Sequence, residues 1–185
     1  MTMQPHALRL ANLVVFQIAW FAAVLGAAHG MPLWGTVCVL GAIAWHLGVA
    51  KEPAKEALLV GIVCVLGFAL ESIHAAHGLV RYPSGQPVAQ LAPYWMVALW
   101  GLLAIALNVT LRWLRGHWWL AGVLGATAGP ASFASGVALG GAQFVDRTPA
   151  LAALALSWAC ALPVLVWLSI RFDGFVTGPQ VRHAN

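Results

Sequence analysis

A chain of 185 residues that is 62% hydrophobic and only 8% charged, with a mean hydropathy of +0.86, has too little polar surface to fold as a water-soluble domain. Its formal charge of +4 does not make a nucleic-acid surface either, because the nine Lys and Arg stand apart between apolar runs and form no basic patch. These facts predict an all-α, polytopic membrane helix bundle that forms one transmembrane domain over residues 1–185, with membrane lipids rather than nucleic acid as its surroundings.

An apolar run of about 20 residues crosses a hydrocarbon core of about 30 Å. In chain order such runs predict six helices, near 11–29, 32–50, 57–78, 93–111, 118–144 and 149–170. The first follows Arg9 and ends in the small residues Gly26, Ala27 and Ala28, a pattern shared with cleavable signal peptides. Its length, and the presence of Asn12 and Gln17 within it, favour a permanent span. Between the third and fourth helices, Leu79–Ala92 carries Pro83, Gly85 and Pro87 and reads as an ordered external loop or a partial re-entrant turn.

The basic residues set an orientation. With the N-terminus in the cytoplasm, Arg9, Lys51, Lys55, Arg112, Arg115, Arg171 and Arg182 fall inside, and Arg81 and Arg147 outside. The expectation is therefore a multi-pass protein of the bacterial inner membrane with both termini in the cytoplasm. Trp34, Tyr94 and Trp95 mark the outer interface, and Trp45, Trp113, Trp118, Trp119 and Trp167 the inner one. Trp20, Trp100 and Trp158 fall at mid-depth, where an indole N–H needs a partner within the bundle. Cys38, Cys64 and Cys160 lie in separate apolar spans without CxxC spacing and read as small core residues.

The fifth helix repeats small residues at Gly125, Gly129, Ser132, Gly136 and Gly140, so one face admits the close approach of a neighbouring backbone. Pro130 there, and Pro163 in the sixth helix, each lack an N–H and free the carbonyl four residues earlier. Two adjacent kinked helices are a way to open a cavity lined by backbone acceptors.

Glu71 is the most informative residue. An acidic side chain deep in a membrane helix costs roughly 2.5–3.5 kcal/mol on insertion scales and is expected to face the interior, hydrogen-bonded or protonated. Ser72 follows it directly, and His74 lies one turn further along the same face, giving Glu71, Ser72 and His74 as candidate catalytic residues. With His77 the segment reads ExxHxxH, and ligands at i and i+3 can share a metal. Only His29 is added on that side, so no metal is assigned, and no cofactor is identified. A second polar group, Asn12, Gln17 and Asn108, lies toward the cytoplasmic half. Gln17, Trp20, Trp100, Asn108, Gly129, Pro130 and Ser132 are the residues expected to line a cavity or contact a substrate. Neither polar group contains a nucleophile, base and orienting acid that could be called a triad.

Five stretches, NLVVFQIAWFAAVLG from Asn12, the segment Glu71–Pro83, PYWMVALW from Pro93, LNVTLRWL from Leu107 and GPASFASGVALGGAQF from Gly129, occur in an order that resembles a family of small bacterial inner-membrane proteins of unknown function. The resemblance runs from Asn12 to about Phe144. It implies an acid followed by Ser at Glu71 and Ser72, and the recurrence of Asn108 and of the Gly129–Pro130 pair. This chain departs in having Glu71 for Asp, Thr110 for Ser and Phe133 for Tyr. The resemblance further implies genes near cyclopropane-type fatty-acid synthases, hence a role in lipid modification, as an enzyme or as the membrane partner of a lipid-modifying enzyme. Two other classes fit the residues: a proton-linked carrier using Glu71, and an assembly protein whose polar residues only lock helices together. In the lipid reading, an acyl chain enters between the fifth and sixth helices.

Overall fold

The computed structural model describes residues 4–175. It is all-α but for one short ladder, with six α-helices: α1 (Pro5–Ala28), α2 (Pro32–Val49), α3 (Pro53–Ala76), α4 (Tyr94–Leu107), α5 (Trp118–Ala138) and α6 (Arg147–Arg171). Five of them, all but α4, are long and apolar enough to cross a membrane. By the length and composition of its helices, this is a multi-pass membrane protein. Arg182 lies outside the described residues.

Local chemistry sets the helix ends. α1, α2 and α3 each open on a proline in the first turn, where its missing N–H is no loss. Asp146 caps α6 by accepting from the Thr148 N–H at 3.1 Å. α5 is shorter than the apolar run predicts. It stops at Ala138 because Gly140 takes a left-handed φ of +86°, and the chain then turns into a strand instead of continuing to residue 144. That strand, β2 (Gln143–Phe144), pairs antiparallel with β1 (Val80–Arg81).

α4 also falls short of its expected 93–111. It has 14 residues, about 21 Å at 1.5 Å per residue, and gives way to turns and the 3₁₀ segment Arg112–Leu114. Most of its side chains are buried, because α1, α2, α3 and α6 all pack on it. A helix apolar all round is the sequence form of a central helix. The loop Leu79–Ala92 is ordered. Ser84 donates to the Ala27 carbonyl at 2.9 Å, and the Ser84 carbonyl accepts from Trp95 Nε1 at 3.0 Å. Trp95, expected at the interface, is thus 1% exposed, whereas Tyr94 beside it is exposed.

Because the helices alternate, the start of α1 and the end of α6 lie at the same end of the bundle. Asn12 of α1 donates to the Ile105 carbonyl there, and Phe172, just past α6, accepts from Asn108. We call this the basic end and the opposite one the strand end.

Candidate functional site

Glu71 lies five residues before the end of α3 and is fully buried. Three side chains converge on it. Its Oε1 accepts from Trp100 Nε1 at 3.1 Å, and its Oε2 accepts from the Tyr82 hydroxyl at 3.0 Å and faces His74 Nδ1 at 3.3 Å. Tyr82 reaches down from the loop after β1. Burial, reinforced by the neighbouring carboxylate, pushes its phenol well above its ordinary pKa, so it stays a donor. A buried carboxylate is tolerable only when donors surround it, and here they do.

His74 is buried beside Glu71, and its Nε2 lies 3.3 Å from the hydroxyl of Ser157 on α6, 83 residues away. Ser157, rather than Ser72, is the hydroxyl that joins Glu71 and His74. Ser72 faces elsewhere and accepts the Ala92 N–H at 3.0 Å, holding the start of α4. His77 caps α3 and is exposed, and the exposed His29 bonds back to the Leu25 carbonyl.

Trp100 connects this cluster to the rest of the bundle. It stacks on Trp158 with ring centroids 4.9 Å apart and planes inclined at 27°. A Cβ at Gly67 would fall 2.1 Å from Trp100 Cγ, and one at Gly129 would fall 2.3 Å from Trp158 Cγ. The two indoles therefore lie between two glycines, and this layer ties α3, α4, α6 and α5 together. Gly125 sits equally close, since its Cβ would fall 2.1 Å from the Trp158 carbonyl oxygen. α5 and α6 are consequently packed face to face through these glycines, leaving no passage for a chain between them at this level.

The open space lies on the other side of α5. A cavity of about 700 Å³ is walled by α1 and α5, with α4 and α6 behind it. α1 and α5 have few direct contacts with each other, and the partly open cavity is lined by residues of both. Of the residues expected to line it, Gln17, Trp20, Trp100, Gly129 and Ser132 do, and Pro130 and Asn108 do not. Pro130 lies within a continuous α5. Glu71 and His74 do not line it, and Glu71 meets it only through Trp100.

Asn108 belongs to a second buried cluster, at the basic end. Its side-chain nitrogen donates to Glu56 Oε1 at 2.6 Å and to the Phe172 carbonyl at 3.1 Å. Glu56 is fully buried and also accepts the Gly174 N–H at 2.6 Å, while its Oε2 meets His46 Nε2 at 2.9 Å. Asp173 pairs with Arg112 at 2.6 Å and Arg115 at 2.7 Å. Partial burial alone would raise the Asp173 pKa, but the hydrogen bonds from Arg115 and the Phe175 N–H, with both guanidinium charges, hold it below the ordinary value. Asn12 stands apart from Gln17 and bonds with the Ile105 carbonyl and Thr110.

Sequence reasoning passed over Tyr82, Ser157, His46, Glu56 and Asp173. One signal was available: His46 and Glu56 stand four residues before Ala50 and three after Pro53, so a helical hairpin sets them level. Nothing in the spacing of Ser157 or Tyr82 points to Glu71.

No curated protein and no solved structure matches this sequence significantly. A family described as proteins of unknown function, DUF2878, matches residues 9–164. With most of its length inside that match, bearing the stretches already quoted, the chain belongs to the DUF2878 family.

Proposed function

We propose that this protein handles membrane lipid by taking an acyl chain into the cavity between α1 and α5, in the service of lipid modification. The cavity itself carries the reading. It has the volume of a small-molecule site, its walls are mainly apolar, and the two helices that flank it, α1 and α5, are both long and apolar enough to cross a membrane. Glu71 in this reading is a positioning residue. By accepting from Trp100 Nε1 it fixes the indole that forms part of the back wall.

The test is photo-crosslinking with a phospholipid bearing a diazirine in its acyl chain, in vesicles containing the protein. Crosslinked peptides are expected from α1 and α5, around Gln17 and Ser132. Gly136 lines the cavity and has open space around it, so Gly136→Trp should fold and cut crosslinking at least tenfold. Crosslinks spread evenly over all lipid-facing helices, or unchanged by Gly136→Trp, would overturn the reading. In cells, deletion should change the acyl-chain profile, and the wild type should restore it better than Gly136→Trp at matched protein levels.

A further inference from the structure

Three residues of the strand-end cluster stand in an order that cavity binding does not use. Ser157 Oγ lies 3.3 Å from His74 Nε2, and His74 Nδ1 lies 3.3 Å from Glu71 Oε2. Glu71 and His74 are sealed in the interior, while Ser157 is half-buried and lines a separate apolar cleft of about 250 Å³ between α3 and α6. Leu66, Leu70, Ala161, Val164 and Leu165 form most of that cleft. The outermost group is a half-buried hydroxyl, the group beneath it an imidazole, and the group beneath that a carboxylate. That is the arrangement of a nucleophile, its base and the acid that orients the base, recognised by geometry and independent of chain order.

We propose that Ser157 is a nucleophile for acyl transfer from the ester of a membrane glycerolipid, with His74 as general base and Glu71 as its orienting residue. Glu71 is fixed by Tyr82 and Trp100, so its Oε2 is a standing acceptor for the Nδ1–H of His74. That tautomer leaves Nε2 bare and facing the serine. The Ser157 hydroxyl has one hydrogen and two acceptors in reach, the Leu154 carbonyl at 3.1 Å and His74 Nε2 at 3.3 Å. Rotation of the hydroxyl toward the imidazole arms the pair.

In the reaction, Ser157 Oγ bonds to the ester carbonyl carbon and its proton passes to His74 Nε2. The bond from that carbon to the glycerol oxygen breaks, and the leaving oxygen takes the proton from His74. An acyl-serine and a lysolipid result. Water, or the hydroxyl of a second lipid, then reverses the same steps and releases the acyl group. The apolar cleft supplies the site for the chain, and it differs from the cavity between α1 and α5, with which it shares Trp100 alone.

The experiment is labelling of the whole protein, in detergent or vesicles, with dodecyl fluorophosphonate, in which the serine oxygen bonds to phosphorus and fluoride leaves. Mass spectrometry of the digest is expected to find the adduct on Ser157. Labelling should vanish in Ser157→Ala, fall at least a hundredfold in rate in His74→Gln, and persist in Cys160→Ala, whose side chain lines the same cleft. The dodecyl probe should outpace an ethyl probe at least tenfold. A folded wild type that gives no adduct at Ser157 overturns the proposal without recourse to any variant. Equal labelling of wild type and His74→Gln overturns the base assignment, and equal rates for the two probes overturn the lipid substrate.

Discussion

Two carboxylates, Glu71 and Glu56, are fully buried near opposite ends of the same helix, and they are satisfied in opposite ways. Around Glu71 the donors are side chains: an indole, a phenol and an imidazole. Around Glu56 they include the backbone N–H of Gly174, beside Asn108 and His46, with the Arg112–Arg115–Asp173 network adjoining. Glu56 therefore fastens the chain beyond α6 to the start of α3. Lys51 and Glu52 complete the clasp by donating their N–H groups to the Gly174 carbonyl, each at 2.9 Å. The lesson is that an intramembrane acid is not read by its burial alone. Backbone partners mark a clasp, whereas every partner of Glu71 is a side chain, one of them an imidazole that itself meets the hydroxyl of Ser157.

Breaking the clasp should have the largest effect. Glu56→Ala leaves His46, Asn108 and the Gly174 N–H without their shared acceptor, at a cost of about 3–5 kcal/mol. Thermal unfolding in detergent should show this as the largest loss of any single acid. If Glu56→Ala melted no lower than Glu71→Gln, the reading of Glu56 as a clasp would fail.

The layer of glycines and tryptophans comes next. Gly129→Val forces a branched side chain against Trp158 and should cost about 1–3 kcal/mol through overpacking, with a change in tryptophan fluorescence. Gly136→Val, on the same helix but in open space, should lose far less in the same assay.

At the strand end, Tyr82→Phe removes one of several partners of Glu71 and should cost about 1 kcal/mol. The cost is small because Trp100 and His74 remain. A loss as large as that of Glu56→Ala would show that Glu71 depends on Tyr82 alone.

The smallest effect tests the charge network. The folded-state pKa of Asp173 lies below its ordinary value of 3.8, so the stability it contributes is present above that value and is lost as the pH falls through the lower, folded value. Asp173→Asn should therefore melt below the wild type at neutral pH, and the gap should close in acid. A gap that is constant with pH would assign the effect to hydrogen bonding rather than charge.

The helices were legible because run length and hydropathy follow from bilayer thickness, which acts on each segment alone. Their ends were less so. α5 stops six residues early because Gly140 adopts a positive φ and the next residues find a strand partner near Val80, a contact more than 60 residues distant. α4 breaks after Leu107 where Asn108 turns to bond Glu56 and Phe172.

For the candidate site, the sequence by itself determined that Glu71 and His74 share a face, because an i, i+3 spacing on a helix does so in any fold. It determined equally that Gly125 and Gly129 would admit a neighbour, since four residues apart they lie on one stripe. Only the tertiary structure decided who that neighbour is, namely Trp158, and that the space therefore lies between α1 and α5 instead of between α5 and α6. It alone decided that Ser157 and Tyr82 meet His74 and Glu71, and that Asn108 serves the clasp. The physical reason is range. Helical periodicity and hydrophobic length are local, whereas a hydrogen bond across 83 residues depends on how whole helices pack, which no spacing within the chain records.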